Sequence, residues 1–304
     1  MNSLSGVLPK KKTAATASPD HDFVVVGAGI AGAAVARTLV DLGLRVLVVS
    51  AGKGASHAPV AILNPVRAQR GKAIPDAAET LAVARSLYGR FAKLHFGLEH
   101  VVPPEAVPKW QANLKDAGIE TVWRGHRLFL PQAFWMHPRT LIPALLRNIP
   151  RIHDRVVAWF HEGLWLQSGR FLKGPVIWAA GAEGTEVTGL EGRLVAGTLL
   201  LTKEPGHGVI QGVFYVGGAL GGTHRPVSRF LAHTPTHDEI EELRARARAI
   251  LGYPPTPIGA FTGVRYLKDQ VLREVPGGFL FTGFGSTGHL RAPIWARRLA
   301  RTIL

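Results

Sequence analysis

Cysteine is absent from all 304 residues. That absence excludes disulfides, thiolate metal sites, cysteine nucleophiles and any cofactor tethered through sulfur, and it is compatible with a reducing cytosol. No run approaches the roughly 18 apolar residues that a membrane helix needs. The opening MNSLSGVLPKKKTAATASPD has no apolar core for a secretory signal. The expectation is a cytoplasmic protein with no membrane contact and a basic segment at residues 1–20. Acid is also scarce: 21 acidic residues stand against 36 lysines and arginines, a formal charge of +15. Such a balance favours anionic partners, among them RNA, an anionic substrate or a phosphate-bearing cofactor. The denser basic groups, Arg244, Arg246 and Arg248, then Arg291, Arg297, Arg298 and Arg301, fall in expected helices without interleaved aromatics. A solvated basic face is therefore the first reading and a nucleic-acid surface the second.

What is abundant is glycine, 35 residues of it, with 21 prolines. The most informative cluster follows a wholly apolar run. Phe23-Val24-Val25-Val26 reads as a parallel strand covered on both faces, and it leads into Gly27-Ala28-Gly29-Ile30-Ala31-Gly32 and then a helical stretch to Leu39. A second strand, Arg45 to Val49, follows the stop at Gly43. In this strand–turn–helix context a GxGxxG pattern is a dinucleotide fingerprint. Gly27 permits the sharp exit, Gly29 lets backbone approach a pyrophosphate, and Gly32 lets the helix lie against the sheet. Ile30 and Ala31 belong to the same turn, and the helix that follows from Ala33 offers free N–H groups that attract phosphate. One feature is missing. The second strand of such folds ordinarily ends in Asp or Glu, which holds the adenosine ribose, whereas this one ends in Ser50.

A second strand–glycine–helix element lies at the other end of the chain: Phe279 to Thr282, then Gly283-Phe284-Gly285-Ser286-Thr287-Gly288, then a helix from about Arg291 to Ile303. Between them, Pro175 to Gly181 again reads as a buried strand ending in small residues, and Leu194–Leu201 and Val213–Leu220 suggest a mostly antiparallel second sheet. Residues 236–251 form a clear helix, capped by Thr236 and stopped by Gly252. No metal site is expected. Neither His95 with His100 nor His233 with His237 has the carboxylates that would complete one.

With VVVGAGIAGAAVA at 24–36, ASHAPVAILNP at 55–65, PVIWAAGAEG at 175–184, FTGVRYLKDQ at 261–270 and FTGFGSTGHLRAPIWARRLA at 281–300, the chain resembles the D-amino-acid oxidase and glycine oxidase superfamily over residues 22–304. It is less specifically similar to the oxidase domain of a bifunctional tRNA-modifying enzyme. The resemblance implies an α/β fold, with a Rossmann-like FAD-binding domain (21–80, 150–193 and 260–304) and an inserted, mainly antiparallel α+β substrate domain (81–149 and 194–259). It implies noncovalent FAD, with Gly27, Gly29 and Gly32 at the pyrophosphate, Ser56 in the loop beside the cofactor, and Ala180 and Gly181 on the adenosine side. Gly285, Ser286, Thr287, Gly288 and His289 fall on the flavin-ring side. Arg265 corresponds to a substrate-carboxylate ligand, Tyr266 to a pocket cap standing where many members have proline, and His289 to a group near the flavin. The implied reaction oxidises a C–N bond of an amino acid or secondary amine by hydride transfer to flavin N5, with oxygen as acceptor and imine hydrolysis. Two alternatives stand beside it: a noncatalytic flavin-binding or RNA-associated protein, and an oxidase acting on a modified tRNA amine.

Overall fold

The computed structural model describes residues 20–304 except 53, 68–69, 205, 207, 212 and 231–233. The basic N-terminal segment, Lys53 and His233 thus lie outside the described residues. A six-stranded sheet runs in the order Leu272–Val275, Gly278–Phe281, Val176–Trp178, Phe23–Val26, Val46–Val49, Arg151–Ile152. All neighbouring strands are parallel except the Leu272–Val275 edge.

The apolar run Phe23–Val26 is fully buried because each face of this sheet carries its own cover. Side chains alternate across a strand with period two. Phe23 and Val25 accordingly join the core beneath the helices Ile30–Asp41, Ala77–Tyr88 and Gly288–Ile303, together with Ile177 and Phe281. Val24 and Val26 point the other way, into a cluster with Leu164, Leu166 and Leu172. Those leucines belong to a three-stranded antiparallel meander, Val156–Phe160, Gly163–Leu166 and Phe171–Lys173, which lies over that face. Each fully buried valine contributes roughly 1.5–3 kcal/mol, so the double cover secures the strand that ends at Gly27.

The larger, ten-stranded sheet is antiparallel apart from the pairing of Val209–Gln211 with His95–Val101. It draws in two strands from segments assigned by sequence to the nucleotide domain. Ala61–Leu63 pairs with Arg127–Met136, and Pro257–Leu267 pairs along the length of Arg193–Thr202. The second pairing carries the 261–267 segment out of the larger sheet and up to the helical turn Ala55–His57. A Cβ on Gly263 would lie 2.8 Å from the Cα of Ala55, so only glycine fits that approach. The larger sheet therefore reaches the Ala55–His57 turn backbone to backbone, while its Ala61, Leu63, Phe134 and Met136 join the core beneath the helices.

The helix His237–Leu251 packs on the larger sheet through Leu243 and Ala247. Its start is a reciprocal capping box. Glu239 N–H donates to Thr236 Oγ1 (3.2 Å), and Thr236 N–H donates to the Glu239 carboxylate (3.0 Å). Its end is Gly252 at φ 78°, a left-handed cap. Thr236→Ala removes one half of the box and should lower unfolding free energy by about 1 kcal/mol. A urea titration followed by circular dichroism should show the midpoint falling in Thr236→Ala and largely restored in Thr236→Ser.

Candidate functional site

At the C-terminal edge of the six-stranded sheet a solvent-open cleft runs over the ends of its central strands. This is the place where open α/β sheets bind ligands, since the loops leaving neighbouring strands diverge there. Gly27 sits at its base with φ 104°, and a Cβ there would lie 2.6 Å from the Ala179 carbonyl oxygen and 2.8 Å from Ala180 Cα. Gly32 does not line the cleft; a Cβ on it would overlap the Gly27 carbonyl oxygen, so this glycine seats the helix against the turn. Gly29 lines the cleft as the N-cap of Ile30–Asp41, with no side-chain cap and no acid in the first turn. Its open N–H groups and positive dipole end therefore remain available to an anion.

Of the other residues singled out in the sequence, Ile30, Ala31, Ser50, Ser56, Ala180, Gly181, Gly285 and Gly288 line the same cleft. Ser286, Thr287 and His289 do not. The Thr287 backbone N–H, expected to face the flavin, donates to the Phe284 carbonyl at 3.1 Å, and its hydroxyl bonds the same oxygen at 2.8 Å. Both donors are consumed by the turn that starts the terminal helix, which begins at Gly288 rather than near Arg291. His289 sits in the first turn of that helix and donates from Nε2 to the Ser56 carbonyl at 3.2 Å, while its own carbonyl accepts from Tyr88 Oη at 2.8 Å. It clamps the Ala55–His57 turn to the helix. Burial, partly offset by that bond, holds its pKa at about 4, so the ring is neutral.

Arg265 and Tyr266 both border the cleft but on opposite faces of their strand. Tyr266 is buried against Ala182 and Ala196, and its hydroxyl donates to the Glu191 carbonyl at 2.8 Å, which makes it a packing and hydrogen-bonding residue rather than a mobile cap. Arg265 is half-buried. Nη2 reaches the Thr223 carbonyl at 3.3 Å, and no carboxylate among the described residues forms an ion pair with it. Burial lowers its pKa from the usual guanidinium value. A poorly solvated cation beside a cleft is a ready ligand for an anion.

Four further cleft residues are not singled out by the sequence: Arg155, outside every motif, and Trp178, Glu183 and Thr282, which lie within motifs read for their small residues. Thr282 Oγ1 and Trp178 Nε1 are buried polar atoms with no hydrogen-bond partner. Buried polar groups are rarely left so. Two orphans in the wall of a glycine-floored cleft fit a ligand rich in donors and acceptors. Among the described residues, no group of three or more His, Asp or Glu is arranged to hold a metal, and no helix is long and apolar enough to cross a membrane.

A parallel sheet, a glycine turn with a close-packed helix and a cleft along the strand ends define a dinucleotide-binding oxidoreductase. The chain belongs to the FAD dependent oxidoreductase family, whose profile matches residues 22–302. The glycine cradle, the uncapped helix and the orphaned polar atoms suit that cofactor. None of the curated protein sequences matches this chain. Among solved structures, it is similar to iminodiacetate oxidase from Chelativorans sp. BNC1, at 19% identity and TM-score 0.75, covering 92% of this chain and 95% of the other. It is likewise similar to glycine oxidase from Geobacillus kaustophilus (18%, TM-score 0.76, 92% and 93%) and to L-proline dehydrogenase from P. horikoshii (14%, TM-score 0.76, 94% and 93%). At these identities the likeness is one of fold: a mixed α/β architecture with a large curled sheet.

Two outcomes test the site. Gly32→Ala should destabilise the protein by roughly 1–3 kcal/mol through overpacking and release FAD. In Gly29→Ala the new Cβ meets only the Ser56 hydroxyl at 3.1 Å, so folding should survive while FAD affinity falls. Thermal melts with and without added FAD separate the two. His100 supplies a pH test. Only 1% exposed, its Nε2 contacts Asn64 Oδ1 at the end of the 54–65 segment, and burial lowers its pKa from 6.5 to about 4. The unfolded chain therefore takes up this proton first. The stability is present above pH 6.5 and is lost as pH falls toward 4, on the order of 3 kcal/mol in all. Denaturant titrations across that range should show the loss, with a flatter profile in His100→Gln.

Proposed function

We propose that this flavoenzyme oxidises the C–N bond of a small amino acid or secondary amine whose carboxylate is gripped by Arg265. The observation that carries this reading is a half-buried guanidinium on the strand Pro257–Leu267, bordering the cofactor cleft and lacking a carboxylate partner among the described residues. Its planar fork suits bidentate contact with a carboxylate. The names of the similar structures, oxidases of glycine and iminodiacetate and a dehydrogenase of proline, support the same substrate class.

Bound FAD supplies the hydride acceptor, so the chain needs no nucleophile of its own. Its residues do the rest. Arg265 orients the substrate so that the α C–H faces the ring. The weak bond to the Thr223 carbonyl is exchanged for a charge-assisted one, which costs the free enzyme little. The packed wall of Val264 and Tyr266 fixes the strand that carries Arg265. Oxygen is the proposed electron acceptor, with release of hydrogen peroxide.

Purified protein should release yellow flavin on denaturation, and an amino acid should bleach the bound flavin without air. Arg265→Ala should slow that reduction by an amount equivalent to about 2–5 kcal/mol while FAD remains bound. Arg265→Lys should recover part of the loss, because a point ammonium lacks the fork. The decarboxylated amine should show no such dependence. Equal losses on both substrates would remove Arg265 from carboxylate binding.

A further inference from the structure

The second strand ends in Ser50, where dinucleotide folds ordinarily carry the carboxylate that holds the adenosine ribose. The Ser50 hydroxyl is turned into its own loop and donates to the Gly52 carbonyl at 3.2 Å. Yet the cleft does not lack an acid. Among the described residues that line it, three are charged: Arg155, Glu183 and Arg265. Glu183 is the one carboxylate among them.

Its position follows from the order of the sheet. Glu183 lies in the turn that follows the strand Val176–Trp178, on one side of the central pair Phe23–Val26 and Val46–Val49. Arg155 lies just beyond Arg151–Ile152, on the other side of that pair. The two side chains nonetheless meet, Arg155 Nη2 to Glu183 Oε1 at 2.7 Å. The ion pair therefore spans the ends of both central strands. Both residues line the cleft that Ser50 and Gly52 also line. Neither side chain is buried, at 49% and 32% exposed, so the pair is worth little to folding. A carboxylate has two oxygens and about four acceptor sites, and one contact with Arg155 leaves the others open.

We propose that Glu183, held by Arg155, is the ribose ligand of the adenosine half of FAD, taking over the task left vacant at Ser50. The acid reaches the same cleft from the third strand's loop instead of the second strand's end. Arg155 is a positioning residue: its ion pair holds the carboxylate in place beside the cleft. The proposal rests on the assignment of FAD as cofactor, and the test keeps the two apart.

The experiment measures dissociation constants for the apoprotein by flavin fluorescence quenching. The probes are FAD and an FAD analogue whose adenosine carries 2′,3′-dideoxyribose. The wild-type protein should prefer FAD by about tenfold or more, since the lost contacts are charge-assisted hydrogen bonds. Glu183→Gln should lose most of that preference, binding FAD nearly as weakly as the analogue, with an unchanged apoprotein melting temperature. Arg155→Met should give an intermediate preference, and Ser50→Ala should keep the full one. Wild-type preference retained in Glu183→Gln would overturn the inference, as would its absence from the wild type or its loss in Ser50→Ala. A wild-type protein that binds neither probe would instead overturn the cofactor assignment itself.

Discussion

Everything in this molecule hangs on a close approach of three backbone segments at the end of one strand. Gly27 leaves Phe23–Val26 in a conformation that L side chains rarely adopt, Ala179 and Ala180 press against it from the neighbouring strand, and Gly32 lays the first helix on its carbonyl. No side chain fits between them. The contact fixes where the helix N-terminus points, and hence where phosphates are received. It also places the Ala179–Gly184 turn against the same cleft, so that cofactor contacts from distant parts of the chain share one scaffold.

The remaining structure keeps that junction rigid and completes it from above. The meander Val156–Lys173 and the three helices cover the sheet on opposite faces. The strand Pro257–Leu267 of the larger sheet reaches the cleft, and its Gly263 touches the Ala55–His57 turn. His289 ties that turn down from the terminal helix. The strand that carries Arg265 is thereby tied to the cleft by one backbone contact, Gly263 with Ala55, and by a turn that His289 holds to the terminal helix.

Much of this was legible in the sequence, and the reasons differ by element. The run FVVVGAGIAG announced itself because a doubly covered strand must be apolar throughout, and the turn tolerates only glycine. Thr236 and Gly252 bounded their helix because capping chemistry is local. By contrast, Thr287 misled. Its glycine-rich surroundings resemble a ligand-binding turn, but the 3-10 turn before the terminal helix uses its donors internally. The meeting of Arg155 with Glu183 was invisible for a different reason. The two are separated by the width of two strands, and only the sheet order brings their side chains together. A single trace of it stood in the sequence: an acid two residues past Gly181, in a turn otherwise built of small residues.

The distribution of charge along the cleft links these observations. In a chain with an excess of 15 positive charges, one acid lines the cleft among the described residues, and it is paired with a neighbouring arginine. The N-terminus of the first helix carries no acid in its first turn. Arg265, which also borders the cleft, keeps a cation without a carboxylate partner among the described residues. The two arginines differ in what holds them. Arg155 has its counterion in the protein and sits half-exposed, so its charge is spent on orienting Glu183. Arg265 has only the Thr223 carbonyl and is largely withdrawn from water, so its desolvation is offset only when an anion arrives.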